Sequence, residues 1–165
     1  MTNRDRLTKA FREAGKRGLV ARQNFSCCGG CASSELGSMA TARGKDGVVY
    51  YHRQDAERLR PSGRYGRNPG ADHVYLGYGS VHDGDAATVD VGNKVCEALA
   101  RAGLAYEWDG GAATRIKVLL PGGIDGEPAP EPDEIPAGAM PLAGFFDDPR
   151  RAALLSLRRG AATGW

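Results

Sequence analysis

No stretch of this 165-residue sequence is long and apolar enough to cross a bilayer: Ile116 to Leu120 is interrupted by Lys117, far short of the roughly 20 apolar residues a spanning helix needs. The opening residues, Met1 to Arg6, lead into a charged amphipathic segment rather than the apolar core of a secretory leader. Both features predict a cytoplasmic protein with no membrane partner. Charge of one sign is also missing, with 22 basic against 20 acidic residues, and aromatic residues make up only 7%. A protein without a basic face or stacking aromatics is not predicted to bind nucleic acid. No phosphate-cradling P-loop, no G-x-G-x-x-G dinucleotide motif and no G-x-S-x-G nucleophile elbow occurs. Nucleotide-dependent enzymes and serine hydrolases of those types are thereby excluded.

What the chain does have is cysteine in one place. Three of its four cysteines lie within five residues, Cys27-Cys28-Gly29-Gly30-Cys31. In a reducing compartment such a group points to metal ligation or thiol chemistry before it points to a disulfide framework. The 24 glycines imply many tight turns.

Periodicity predicts an α/β fold. Leu7, Ala10, Phe11 and Ala14 share one face of a helix over 3–16, with Asn3 as its cap. A strand follows from Leu19 to Phe25, then the cysteines, then a helix over 33–42 weakened by Gly37. Residues 47–52 and 73–78 are rich in β-branched and aromatic side chains and read as strands, with a short helix over 54–59 between them. Val91, Val95, Ala98, Leu99 and Ala102 stripe a helix over 86–102, with Asp85 as its cap. Residues 104–108 and 114–120 form a hairpin across Asp109-Gly110-Gly111. The expected architecture is a small mixed sheet of about five strands with helices packed against it. Residues 1–120 make the domain, 121–147 a proline- and glycine-rich linker, and 148–165 a short C-terminal helix and tail. That tail is the expected contact for a protein partner or for a second copy of the chain.

Helical crossovers favour parallel strands, and ligands of open α/β sheets bind beyond the carboxyl ends of such strands. The cysteines, His52 with Gln54 and Asp55, His82 with Asp83, and Trp108 with Asp109 are therefore expected along one rim. Three chemistries fit. In the first, Cys28-x-x-Cys31 has zinc-knuckle spacing and a metal site uses Cys27, Cys28, Cys31 and His52, with His82 as the alternative fourth ligand. Zinc is the expected cofactor, and the second Cys-x-x-Cys of a full zinc ribbon is missing. In the second, Cys28 and Cys31 are redox thiols of an enzyme or sensor, activated by the start of a helix. In the third, the cysteines only pack, within an interaction or immunity-type module. Glu35 is either a base near a metal-bound water or part of a solvated helix face, and Cys96 is a core residue.

The motifs Cys27-Cys28-x-x-Cys31, Tyr51-His52-x-Gln54-Asp55, Tyr75-Leu76-x-Tyr78-Gly79 and Trp108-Asp109-Gly110 occur in this order. In them the chain resembles a bacterial family defined as a domain of unknown function, over about Leu7 to Leu119. The resemblance implies no activity, but it ties His52 to the cysteines. Thioredoxin-like proteins are similar only in the Cys-x-x-Cys: the aromatic residue that precedes it there is replaced by Cys27, and no matching proline loop occurs.

Overall fold

The computed structural model describes residues 1–60 and 72–126. All of them belong to the first of two compact units, Met1–Pro128. The elements run α1 (Asn3–Lys16), β1 (Leu19–Arg22), α2 (Gly29–Ala42), β2 (Gly47–Tyr50), α3 (Arg53–Arg58), β3 (His73–Ser80), α4 (Asp85–Arg101), β4 (Tyr106–Glu107) and β5 (Ile116–Leu119). The five strands form one mixed sheet in the order β1-β2-β3-β5-β4. Among the described residues no helix is long and apolar enough to cross a membrane. The expected linker beyond Gly126, the helix over 148–158 and the partner surface assigned to them lie outside the described residues.

Strand alternation decides what each face of the sheet carries. Leu19, Val49, Leu76, Ile116 and Val118 point to one side, where α1 and α4 bury them in the main core. Val20, Val48 and Tyr50 point to the other, under Ala32, Leu36 and Ala40 of α2. β2 is therefore buried on both faces, which explains its unbroken apolar sequence.

β1 and β2 are parallel, joined by the α2 crossover as expected. β2 and β3 are antiparallel, Gly47 pairing with Ser80 and Tyr50 with Gly77. This corrects the placement of His82 and Asp83. They follow β3 at the opposite rim, where His82 Nε2 lies 3.6 Å from Asp46 Oδ1, just ahead of β2. α3 has only six residues. It caps the strand end instead of carrying the chain back across the sheet, so β3 returns in the reverse direction. The hairpin of β4 and β5 forms as expected. β5 pairs with β3, and the two-residue β4 forms the edge.

Three helix starts differ from expectation. Thr2, not Asn3, caps α1 in a reciprocal arrangement with Asp5. Asn3 is fully buried, and its amide donates to the carbonyls of Pro121 and Gly123, tying the segment after β5 to the start of α1. Gly84, at φ 98°, precedes α4, and Asp85 is its first residue. α2 begins four residues early, at Gly29 rather than Ser33. Two glycines in its first turn cost at most about 1 kcal/mol each relative to alanine. Burying Leu36 completely contributes about 1.5–3 kcal/mol, and the packed helix wins.

Candidate metal centre

The early start of α2 fixes the cysteines. Cys27 and Cys28 end the β1–α2 loop, Cys28 is the residue that caps the helix, and Cys31 lies in its first turn. The loop is twisted by two non-glycine residues with positive φ, Asn24 at 51° and Ser26 at 60°. Asparagine tolerates that region, whereas Ser26 carries local strain of about 1 kcal/mol. The strained loop is held by its neighbour. Phe25 N–H donates to the Tyr51 carbonyl at 3.1 Å, and Arg53 N–H donates to the Ser26 carbonyl at 3.1 Å. The loop bearing the cysteines and the one bearing His52 are thus stitched together by backbone.

The ligating atoms of Cys27, Cys28 and Cys31 all lie within 4.8 Å of one another. Tetrahedral zinc–thiolate bonds of about 2.3 Å require sulfurs about 3.8 Å apart. The three thiols are within a small side-chain rotation of that geometry, so the cluster is able to hold a metal ion. All three are reduced; Cys27 and Cys31 are exposed and Cys28 is half-buried.

Their electrostatics divide the labour. The Cys31 backbone N–H, then the thiols of Cys31 and Cys27, lower the pKa of Cys28 below a cysteine's ordinary value. No full capping hydrogen bond forms at Cys28, but the positive start of the helix favours an anion there. Cys31 is pushed the other way, up to about 11, because its thiol keeps its proton to donate hydrogen bonds to the Cys28 and Cys27 sulfurs. The cluster therefore favours the anion at Cys28 more than an ordinary cysteine does and disfavours it at Cys31.

His52 lies beside the helix start: a side chain at Gly29 would meet His52 Cδ2 at 3.8 Å and Tyr50 Oη at 3.9 Å. Its ring belongs to the cap of α3. Nδ1 accepts a long 3.4 Å bond from the Asp55 N–H, and Nε2 stands 3.2 Å from Asp55 Oδ2. Asp55 is itself buried and also receives Arg115 Nη2 at 3.0 Å. Arg115 was not read from the sequence; it arrives from 60 residues away, and no local pattern announces the contact. Gln54 takes no part in these contacts. Glu35 is exposed and, among the described residues, accepts only a 3.5 Å bond from Ser26 Oγ, in keeping with a solvated helix face.

A cleft of about 250 Å³ adjoins the helix start, lined by Gly29, Tyr50, His52, Gly77, Tyr78 and residues 112–115. Trp108 and Asp109 reach this rim by building the loop that walls the cleft. Trp108 Nε1 donates to Tyr78 Oη at 2.8 Å, and that hydroxyl lies 2.6 Å from the Gly111 carbonyl. Asp109 accepts from the Gly111 N–H and the Thr114 hydroxyl. Cys96 is remote from all this, buried in the main core.

Neither the curated proteins nor the solved structures contain a match to this chain. Residues 1–120 match one family profile, a span that takes in the whole sheet, the thiol cluster and the cleft, and the chain belongs to the family described as Domain of unknown function (DUF6891).

Proposed function

We propose that this protein binds one zinc ion through Cys27, Cys28 and Cys31, with His52 as fourth ligand. The convergence of three thiols within 4.8 Å carries this reading. The donor set suits zinc, which favours thiolate and imidazole in a tetrahedron. His52 stands outside that group of thiols, and its ring would have to turn toward them to take the fourth position. Its Nδ1 is engaged only through a 3.4 Å bond from the Asp55 N–H, and its Nε2 stands 3.2 Å from Asp55 Oδ2. A ligating histidine commonly donates its other N–H to a carboxylate, and Asp55 is close enough to take that part. Losing the Nδ1 contact costs little, because the Asp55 amide lies at a helix start where water can replace it. The metal would join the β1–α2 loop to the β2–α3 loop and hold the strained Ser26 turn closed.

Untagged protein should carry about one zinc per chain by elemental analysis, and Cys28→Ser with Cys31→Ser should carry none. His52→Ala should keep the metal but bind it about 10–100-fold more weakly. Protein that is metal-free as purified, with thermal stability indifferent to both zinc and chelator, would overturn the assignment.

A second reading is favoured by one observation, the split between the lowered Cys28 and the raised Cys31. In it the metal-free cluster is a dithiol, with Cys28 the attacking sulfur and Cys31 its resolving partner.

A further inference from the structure

Zinc asks His52 to turn, whereas the thiols already converge without it. Among the described residues no carboxylate or imidazole joins Cys27, Cys28 and Cys31, whose ligating atoms lie within 4.8 Å of one another. An ion at that point meets sulfur and no harder donor. His52 is tied elsewhere. Its Nδ1 accepts from the Asp55 N–H at 3.4 Å, and its Nε2 stands 3.2 Å from Asp55 Oδ2. Asp55 also receives Arg115 Nη2 at 3.0 Å. Recruiting the ring disturbs a buried carboxylate, and leaving it in place disturbs nothing.

The thiols are also open to solvent. Cys27 and Cys31 are exposed and Cys28 is half-buried. A side chain at Gly30 would meet nothing within 4 Å, so no packing among the described residues requires glycine there. Glycine inside a helix costs about 1 kcal/mol relative to alanine; here it leaves the stretch between Cys28 and Cys31 bare. Cys28 precedes α2 and Cys31 lies in its first turn, so negative charge on these sulfurs sits at the positive end of a 14-residue helix.

From this we infer that Cys27, Cys28 and Cys31 bind one monovalent copper ion as a three-coordinate, all-sulfur complex, with His52 left on Asp55. Monovalent copper is soft and selects thiolate. Three sulfurs in a plane complete its coordination, and it does not need the imidazole. With bonds about as long as the 2.3 Å of zinc–thiolate, such a triangle needs sulfurs about 4 Å apart. Small side-chain rotations supply that. Loading replaces the S–H bond of each cysteine with a copper–sulfur bond and releases the protons to water; no electron moves. The complex is net negative, which the start of α2 favours. The inference shares its thiols with the zinc reading but not the fourth ligand, so the two separate by experiment.

The test uses the full chain, stripped of metal and kept anaerobic with ascorbate, titrated with monovalent copper against bicinchoninate. One copper per chain should transfer to the protein. Cys27→Ser, at an exposed position, should weaken copper about tenfold or more. His52→Ala should hold copper within about twofold of the wild type while zinc weakens about 10–100-fold. X-ray absorption of the copper-loaded wild type needs no variant and should show sulfur neighbours without imidazole. Failure to take copper from bicinchoninate, two or more coppers per chain, imidazole around the copper, or unchanged copper affinity in Cys27→Ser would each overturn the inference. So would equal losses of copper and zinc affinity in His52→Ala. Copper binding by protein indifferent to zinc fells only the zinc proposal, and zinc binding by protein that refuses copper fells only this one.

Discussion

Two environments for one side chain divide this molecule. Cys27, Cys28 and Cys31 stand in or near solvent at a helix start, with each thiol among thiols. Cys96 is buried on the inner face of α4, where desolvation lifts its pKa to about 12. At the helix start the Cys31 amide, the neighbouring thiols and the positive end of α2 lower Cys28. Cysteine is thus eased toward the thiolate or held as the thiol according to what lies within a few ångströms. The local sequence of each region already hints at which. An alternating or helical stripe puts a cysteine in the core, and a glycine-flanked run between strand and helix puts it at the surface.

Alkylation should break or confirm this contrast most sharply. The thiolate is the reacting form, so a pKa near 12 in place of about 9 lowers its fraction at neutral pH by about a thousandfold. Cys96 should stay unlabelled until denaturant is added. In metal-free protein Cys28 should react first, and its labelling should persist to a lower pH than that of an ordinary cysteine. Cys31, pushed to about 11, should lag behind it. If metal is bound as proposed, all three should be slow until chelator is supplied. Fast labelling of untreated protein, with a reversible Cys28–Cys31 disulfide under mild oxidant, would favour the dithiol reading over the metal.

Substitution sharpens the same comparison in stability. Cys96→Ala removes a core sulfur beside Val95, Leu99 and Tyr106 and should cost about 1–2 kcal/mol in denaturant unfolding. Cys31→Ala in metal-free protein touches an exposed thiol and should change stability by less than about 0.5 kcal/mol. Comparable losses at the two positions would mean that the cluster is packed rather than solvent-facing.

The smallest effect is in the pH dependence. A thiol whose pKa is raised by folding contributes stability that is complete below its unfolded value and is lost as pH climbs through its folded value. For Cys96 that window runs from about 9 to about 12, and Tyr106, also raised to about 12, adds to its upper part. Cys28 has the opposite sign: its contribution is present above the unfolded value and is lost as pH falls through the lowered one. Cys31, raised to about 11, has the same sign as Cys96 in the same window. Cys96→Ala should therefore flatten the alkaline slope of stability in metal-free protein, while Cys28→Ser should remove only the part that Cys31 owes to Cys28. An unchanged slope in Cys96→Ala would show that the thiol is less desolvated than its position implies.

The α1 and α4 stripes were legible because their apolar residues recur at helical spacing and the main core uses those residues: Leu7, Phe11, Val91, Val95 and Leu99 are all buried. β2 was legible for a different reason, its run of β-branched and aromatic residues. Boundaries were less so. The start of α2 was misplaced because glycine and cysteine are weak helix formers, and only the contact of Leu36 and Ala32 with the sheet extends the helix back to Gly29. The cap of α1 was misassigned because Thr2 and Asn3 are both good caps in isolation. Burial of Asn3 against the Pro121 and Gly123 carbonyls decides between them.

By itself the sequence determined the elements, the parallel β1–β2 pair and the crowding of three thiols, because each depends on residues a few positions apart or on one crossover. Only the tertiary structure decided that β3 runs backwards, which removes His82 from the rim of the cysteines and leaves it against Asp46. It also decided that Asp55 is shared by His52 and Arg115, a contact spanning 60 residues. Strand direction and such long-range ion pairs are set by how whole layers bury their apolar faces. That is a property of the packed sheet and helices together, and no short window of residues encodes it.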